Sequence, residues 1–272
     1  MIGVPAPTKA AAITKPRTRD YLSYSAISTY RSCPLRYMFR YVVGLPERTV
    51  SSSLVFGSAI HQGIEYFFNE LMAGGEPPPV EALLGEYDRH WESVEPSGVK
   101  FGKGEDRDSL STLAQRMFAA FQASDFAKPA GHILGVEEEL RASIVPGCPD
   151  LLGRLDLVVE TPDAVIVNDL KTARSRWSSA QVEESSEQLL LYHELVKTFA
   201  PAKRIRLRFA VLTKTKVPAV ELHEVPVHGK RVERTKRIVE RVWRAIEAGT
   251  FYPAPSPQQC SSCAFREPCR KW

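Results

Sequence analysis

No stretch of this chain is apolar for long enough to cross a bilayer, which takes about 20 consecutive apolar residues in a helix. The composition is that of a globular protein, 43% hydrophobic and 25% charged. The opening segment, MIGVPAPTKAAAITKPRTRD, has no continuous apolar core and no clear cleavage site. A secretory signal is therefore not expected, residues 1–20 read as a mobile, mildly basic tail, and a cytoplasmic location follows. Also missing are a Walker loop, a GxGxxG fingerprint, internal repeats and coiled-coil heptads, which excludes a free-standing helicase or NTPase. Charge is not lopsided either. The net +4 suits a nucleic-acid partner but is too mild to establish one.

Cysteine is scarce but pointedly placed. There are five, and an odd count without a signal peptide argues against a secreted disulfide scaffold. Cys260, Cys263 and Cys269 form a C-x2-C-x5-C frame near the end, Cys33 precedes a proline near the start, and Cys148 stands alone in a PGCPD turn. Thiolates this close together bind zinc or an iron–sulfur cluster, and either needs a fourth ligand. Cys33 is preferred to Cys148, whose turn lies nearer the candidate site. The spacing leaves zinc and iron both open.

In chain order, a capped helix is expected over Ala26–Ser32, then a second from Pro34 through Val43 closed by Gly44. A third, about Leu54 to Met72, has Ile60, Ile64, Phe67, Phe68 and Leu71 as its apolar stripe. It carries His61, with Gly57 one turn earlier to permit close backbone approach. A lone helical histidine is more often structural than a ligand. Val80–Trp91 and Ser109–Ala127 read as helices, with a flexible loop at Pro96–Asp106 carrying Lys100 and Lys103. His132–Glu139 and Leu140–Val145 read as strand, followed by a turn at Pro146–Pro149. Ser178–Phe199 reads as one long helix, Arg206–Thr213 and Val220–Val227 as strands, and Val232–Ala248 as a charged amphipathic helix. This order predicts an α/β or α+β fold with a mixed sheet. The parts are a helical lobe over 21–131, a core over 132–250 and a cysteine-rich tail over 251–272.

The segment on which the rest depends is GRLDLVVETPDAVIVNDLKT, Gly153 to Thr172. Its apolar runs Leu155–Val159 and Ala164–Val167 flank a Pro/Asp turn and read as a β-hairpin. Strand alternation points Asp169 and Lys171 the same way, roughly 6–7 Å apart at Cα. Asp156 lies on the neighbouring strand within cross-strand reach. Two carboxylates and an ammonium on a buried hairpin need compensation, and a divalent metal supplies it. On the following helix Gln188 and Tyr192, four residues apart, share a face.

Six segments in this order resemble the PD-(D/E)xK nucleases, specifically the iron–sulfur branch of the RecB-like group. That branch includes the AddB nuclease domain and the CRISPR-associated Cas-four exonucleases. The segments are LSYSAISTYRSCPLRYMFRYV, GSAIH, GRLDLV, VNDLKT, QLLLY and the cysteine tail with Cys33, so the resemblance runs from about Leu22 to Cys269. It departs from the family name in that Leu155, not proline, precedes Asp156. Pro149-Asp150 is literally PD but falls too early and reads as structural. Glu137, in GVEEEL, aligns only loosely with a family acidic position.

The resemblance implies a restriction-endonuclease-like core that hydrolyses DNA with Mg²⁺ or Mn²⁺. His61, Asp156, Asp169 and the Leu170 carbonyl would be the ligands. Lys171, with Gln188 and Tyr192, would be catalytic. Cys33, Cys260, Cys263 and Cys269 would hold a [4Fe–4S] cluster, with Zn²⁺ as the alternative. The implied substrate is single-stranded DNA or DNA with free ends, in repair or in CRISPR spacer acquisition. A CRISPR integrase or a helicase subunit is an implied partner. The rival reading is a catalytically silent DNA-binding or assembly subunit with a four-cysteine metal site.

Overall fold

The computed structural model describes residues 19–94 and 98–272. The tail expected over 1–20 lies outside the described residues up to residue 18, as do residues 95–97 beside the expected Pro96–Asp106 loop.

After a two-residue strand, β1 (Tyr21–Leu22), Ser23 caps α1 (Tyr24–Ser32), accepting the Ala26 amide at 3.3 Å. The helix expected from Pro34 to Val43 is α-helical only through Tyr37 (α2); Met38–Val43 widen into a π-helical turn. The widening lets the Gly44 and Leu45 amides both return to the Phe39 carbonyl, with Gly44 left-handed at φ 71°. A short strand, β2 (Val50–Ser51), leads into α3 (Ser52–Met72), and α4 (Val80–Glu92) follows. β3 (Val99–Lys100) pairs with β2 in a two-stranded parallel ladder inside the segment expected as loop.

The helix expected over Ser109–Ala127 is instead α5 (Arg107–Gln122) plus a separate 3₁₀ turn, Asp125–Ala127. It starts early because Asp106 and Ser109 cap each other's amides, at 2.8 and 3.1 Å. It stops early because the Ser124 hydroxyl donates to the Phe121 carbonyl at 2.6 Å. The two strand segments expected after it are one strand, β4 (His132–Ala142). β5 (Asp150–Glu160) and β6 (Val165–Ala173) form the expected hairpin.

The long helix expected over Ser178–Phe199 breaks at Ser186 into α6 (Ser179–Ser185) and α7 (Glu187–Phe199). The Ser186 hydroxyl is buried, donating to the Glu183 carbonyl at 2.7 Å and accepting from Arg231 at 2.6 Å. β7 (Ile205–Thr213), β8 (Val220–Val225) and α8 (Gly229–Glu247) follow, then two short helices, α9 (Pro257–Ser261) and α10 (Arg266–Lys271).

The main sheet is mixed: β4 and β6 pair antiparallel to β5, β7 parallel to β6, and β8 antiparallel to β7. Each face has its own core. Val165, Val167 and Phe209 pack beneath α1, α7 and α8, whereas Leu170, Ala210 and Leu212 pack beneath α3, α4 and α5. A third, smaller core joins Leu35, Met38 and Phe39 to Phe265 near the chain's other end.

One edge of β5 is occupied throughout by β4. Its other edge is shared, with β1 at Asp150–Leu151 and β6 at Leu157–Glu160. Between these partners, Leu152 to Asp156 have no strand beside them on this edge, and the sheet forks. Leu155 packs in the α7-side core and Leu157 in the α3-side core, although strict alternation would put them on one face. The strand therefore changes face at Asp156, which stands on the seam between the two cores.

Candidate active site

The fork collects the ionisable groups. Where the β5–β6 ladder ends at Leu157–Asn168, the Asp156 carboxylate takes the next inward amide, Leu170 N–H, at 2.7 Å. From α3, His61 brings Nδ1 to 3.8 Å from Asp156 Oδ2 and its ring against the Leu170 backbone. Gly57, one turn back, lets α3 come this near, since a Cβ there would lie 3.3 Å from the Thr172 hydroxyl. Glu137 enters from β4. Val136 faces Leu157 and Glu138 faces Leu155, so Glu137 stands opposite Asp156. It is the only non-glycine residue with positive φ among the described residues, at 52°. Ligand atoms of His61, Glu137 and Asp156 lie within 4.8 Å of one another.

Asp169 and Lys171 point together toward α7, as alternation requires. Asp169 is 1% exposed and takes the Lys171 ammonium at 2.6 Å. Lys171 Nζ also donates to Gln188 Oε1 at 3.1 Å, and Gln188 Nε2 donates to the Tyr192 hydroxyl at 2.9 Å. Gly153 permits this chain, because a Cβ there would meet Leu195 at 2.6 Å and Tyr192 at 2.8 Å. Asp156, Asp169, Lys171, Gln188, Tyr192, His61 and the Leu170 backbone are thus brought to one fork. Glu137, rather than Asp169, completes the tightest group of three.

Burial first, then the Lys171 charge, drives the His61 pKa down to about 4. The ring is neutral at physiological pH, as a metal ligand must be. The carboxyls move the other way. Burial, then Asp169 and Glu137, push Asp156 well above the usual carboxylate range. Burial also raises Asp169 and Glu137, opposed by Lys171 and Arg154 respectively. Lys171 is raised too: burial works against its charge, but Asp169 and Asp156 outweigh it. Three crowded acids against one buried ammonium are short of positive charge. One imidazole and two carboxylates are a donor set that fits Mg²⁺ or Mn²⁺, and such an ion would supply that charge.

Sequence reasoning left two further groups aside. Arg154, on the forked part of β5, holds Glu137 at 2.6 Å. Lys214 follows β7 where that strand ends beside β6, its Nζ 3.4 Å from the Ser53 hydroxyl and 4.7 Å over the Phe56 ring. Burial lowers its pKa, and it has no ion-pair partner among the described residues. The run TKTK around Lys214 was the available signal, but it is indistinguishable from a solvated turn.

Away from the fork, Cys33, Cys260, Cys263 and Cys269 line one cavity of about 240 Å³ with Leu35, Phe39 and Phe265. No three of their sulfurs lie within 4.8 Å of one another. Cys148 packs beside the α7-side core instead. Asp150 of the literal Pro-Asp pair takes Arg141 at 3.1 Å on the surface, a structural contact.

A family model of the PD-(D/E)XK nuclease superfamily matches residues 21–270. The chain belongs to that superfamily. Among solved structures it is similar to an exonuclease candidate from Eubacterium rectale, at 14% identity and a TM-score of 0.57, covering 93% of this chain and 88% of that one. This likeness is one of fold. The structure of the protein SSO0001 aligns at 15% identity over 81% and 85% of the chains with a TM-score of 0.34, too low to define a shared fold. No curated protein matches. Among the described residues no helix is long and apolar enough to cross a membrane.

Proposed function

We propose that this chain is a metal-dependent deoxyribonuclease of the RecB-like or Cas-four type, degrading single-stranded DNA or DNA from free ends. The observation that carries the reading is the convergence of His61, Glu137 and Asp156 beside the Asp169–Lys171–Gln188–Tyr192 chain at the fork. His61, Asp156, Asp169, the Leu170 carbonyl and Glu137 would hold Mg²⁺ or Mn²⁺. A bound ion of this kind acidifies water and polarises a phosphoryl oxygen. The Lys171 ammonium, fixed by Asp169, faces the reacting phosphate and offsets its growing negative charge. Gln188 keeps Lys171 aimed and Tyr192 braces Gln188. Lys214, with no carboxylate partner among the described residues, takes a neighbouring phosphate of the bound strand.

The four thiols at the cavity are assigned to a [4Fe–4S] cluster. They line one cavity with Leu35, Phe39 and Phe265, and Zn²⁺ is the alternative occupant.

The test is degradation of linear and circular single-stranded DNA with Mn²⁺ or Mg²⁺, comparing wild type with Asp169→Ala and Lys171→Ala. Both variants are expected to lose about 10²-fold or more in rate while keeping their fold. Near-wild-type cutting by Lys171→Ala would sink the assignment. If no protein cuts either substrate, the reading becomes that of a silent DNA-binding subunit.

A further inference from the structure

Helix α8 holds seven of the chain's cations against three glutamates, an excess equal to the +4 of the whole chain. Its inner face is Val232, Thr235, Val239, Val242 and Ile246, all buried. On the opposite face stand Lys230, Arg234, Arg237, Arg241 and Arg244, all exposed. Their spacing of four, three, four and three residues keeps them within an arc of about 80°, and the row is about 21 Å long. Of the five, only Arg244 has an ion-pair partner among the described residues, Glu247 at 3.6 Å. Glu233 is engaged by Lys236 at 3.3 Å, and Glu240 is half-buried. A face kept only for solubility interleaves both signs; this one carries a single sign.

We infer that this row binds the phosphate backbone of duplex DNA flanking the active site, an inference that rests on the nuclease reading above. Phosphates of one B-form strand rise 3.4 Å each, so 21 Å spans about six of them. The head of α8 is fixed near the site. Arg231, next to Lys230, donates to the Ser186 hydroxyl at 2.6 Å and the Glu183 carbonyl at 2.8 Å, just before Gln188 on α7. The row leads away from that point.

The experiment compares the full chain with the triple variant Arg234→Ala/Arg237→Ala/Arg241→Ala, and with the same three arginines changed to Lys. Affinity for a labelled duplex of about 30 base pairs is measured across salt concentrations. In the alanine variant the slope of log K against log salt should shrink by about 2.7, at 0.9 per lost phosphate contact, equally for unrelated sequences. The lysine variant should keep the wild-type slope. Identical slopes in wild type and alanine variant overturn the inference and leave an acidic protein as the occupant. A wild type that binds no DNA at any salt overturns the nuclease reading and this inference together.

Discussion

At Glu137 the backbone adopts a conformation that costs a non-glycine residue about 1–3 kcal/mol, and its carboxylate is aimed at His61 and Asp156. Strain of this size persists where the surroundings enforce it. Here β4 slips register at Leu134 and the Arg154 guanidinium holds the side chain in place. Glu137→Gln keeps the shape and removes the charge. The wild type should gain thermal stability on adding Mn²⁺, and the variant should gain much less. A loss of about tenfold in Mn²⁺ affinity, near 1.4 kcal/mol, is the expected scale, read as the difference in Tm with and without the ion. An unchanged Mn²⁺ response would remove Glu137 from the ion site. Asp169 and Lys171 could be placed together from the sequence because a strand's two-residue period points them the same way, and Asp156 because it lies across the hairpin; the change of face at Asp156 could not. Glu137 was not legible, because three consecutive glutamates alternate faces and only the register slip and the left-handed turn select one of them.

Among the elements, α7 packs on the sheet at Gly153 and α3 packs on α5 at Gly63, and the two contacts differ in consequence. A Cβ at Gly153 would press on Tyr192 and Leu195, whereas one at Gly63 would meet Phe118 at 2.5 Å in the other core, away from the catalytic chain. Both Gly153→Ala and Gly63→Ala should lower stability by about 1–3 kcal/mol through overpacking. Gly153→Ala should also slow cleavage out of proportion, because it displaces the helix that holds Gln188 against Lys171. A folded Gly153→Ala with wild-type specific activity would contradict this. Helices with long apolar stripes, such as α3, were legible from their period. The break at Ser186 was not, since a serine in a helical pattern ends the helix only when a distant partner, here Arg231, rewards its burial. β1, β2 and β3 are two residues each, too short to show any period.

For the molecule as a whole, the helices divide between two sheet faces, and the small third core ties the N-terminal helices to the C-terminal tail. The Leu35 amide donates to the Tyr252 carbonyl at 3.0 Å, and the Phe39 and Phe265 rings lie 5.9 Å apart. Spacing marked the cysteines as a candidate frame, and four of them line one cavity; the aromatic contact beneath it gave no sequence signal, since more than two hundred residues separate its halves. Cys263→Ala should give a colourless protein with a lowered Tm, checked by visible absorbance and thermal melting. A colourless variant as stable as wild type would show that the thiols carry no structural cluster.

The joining of position 33 to positions beyond 260 also sets an order of events during synthesis. Phe39 cannot be covered, nor its neighbouring thiol matched, until Phe265 has left the ribosome. The Leu35, Met38 and Phe39 face therefore waits, greasy side open, while α1 joins the sheet and its flanking layers. A ribosome stalled shortly before the cysteine tail would release a chain whose fork residues are all present and whose Leu35, Met38 and Phe39 face has nothing to close against, a natural target for a chaperone or a protease.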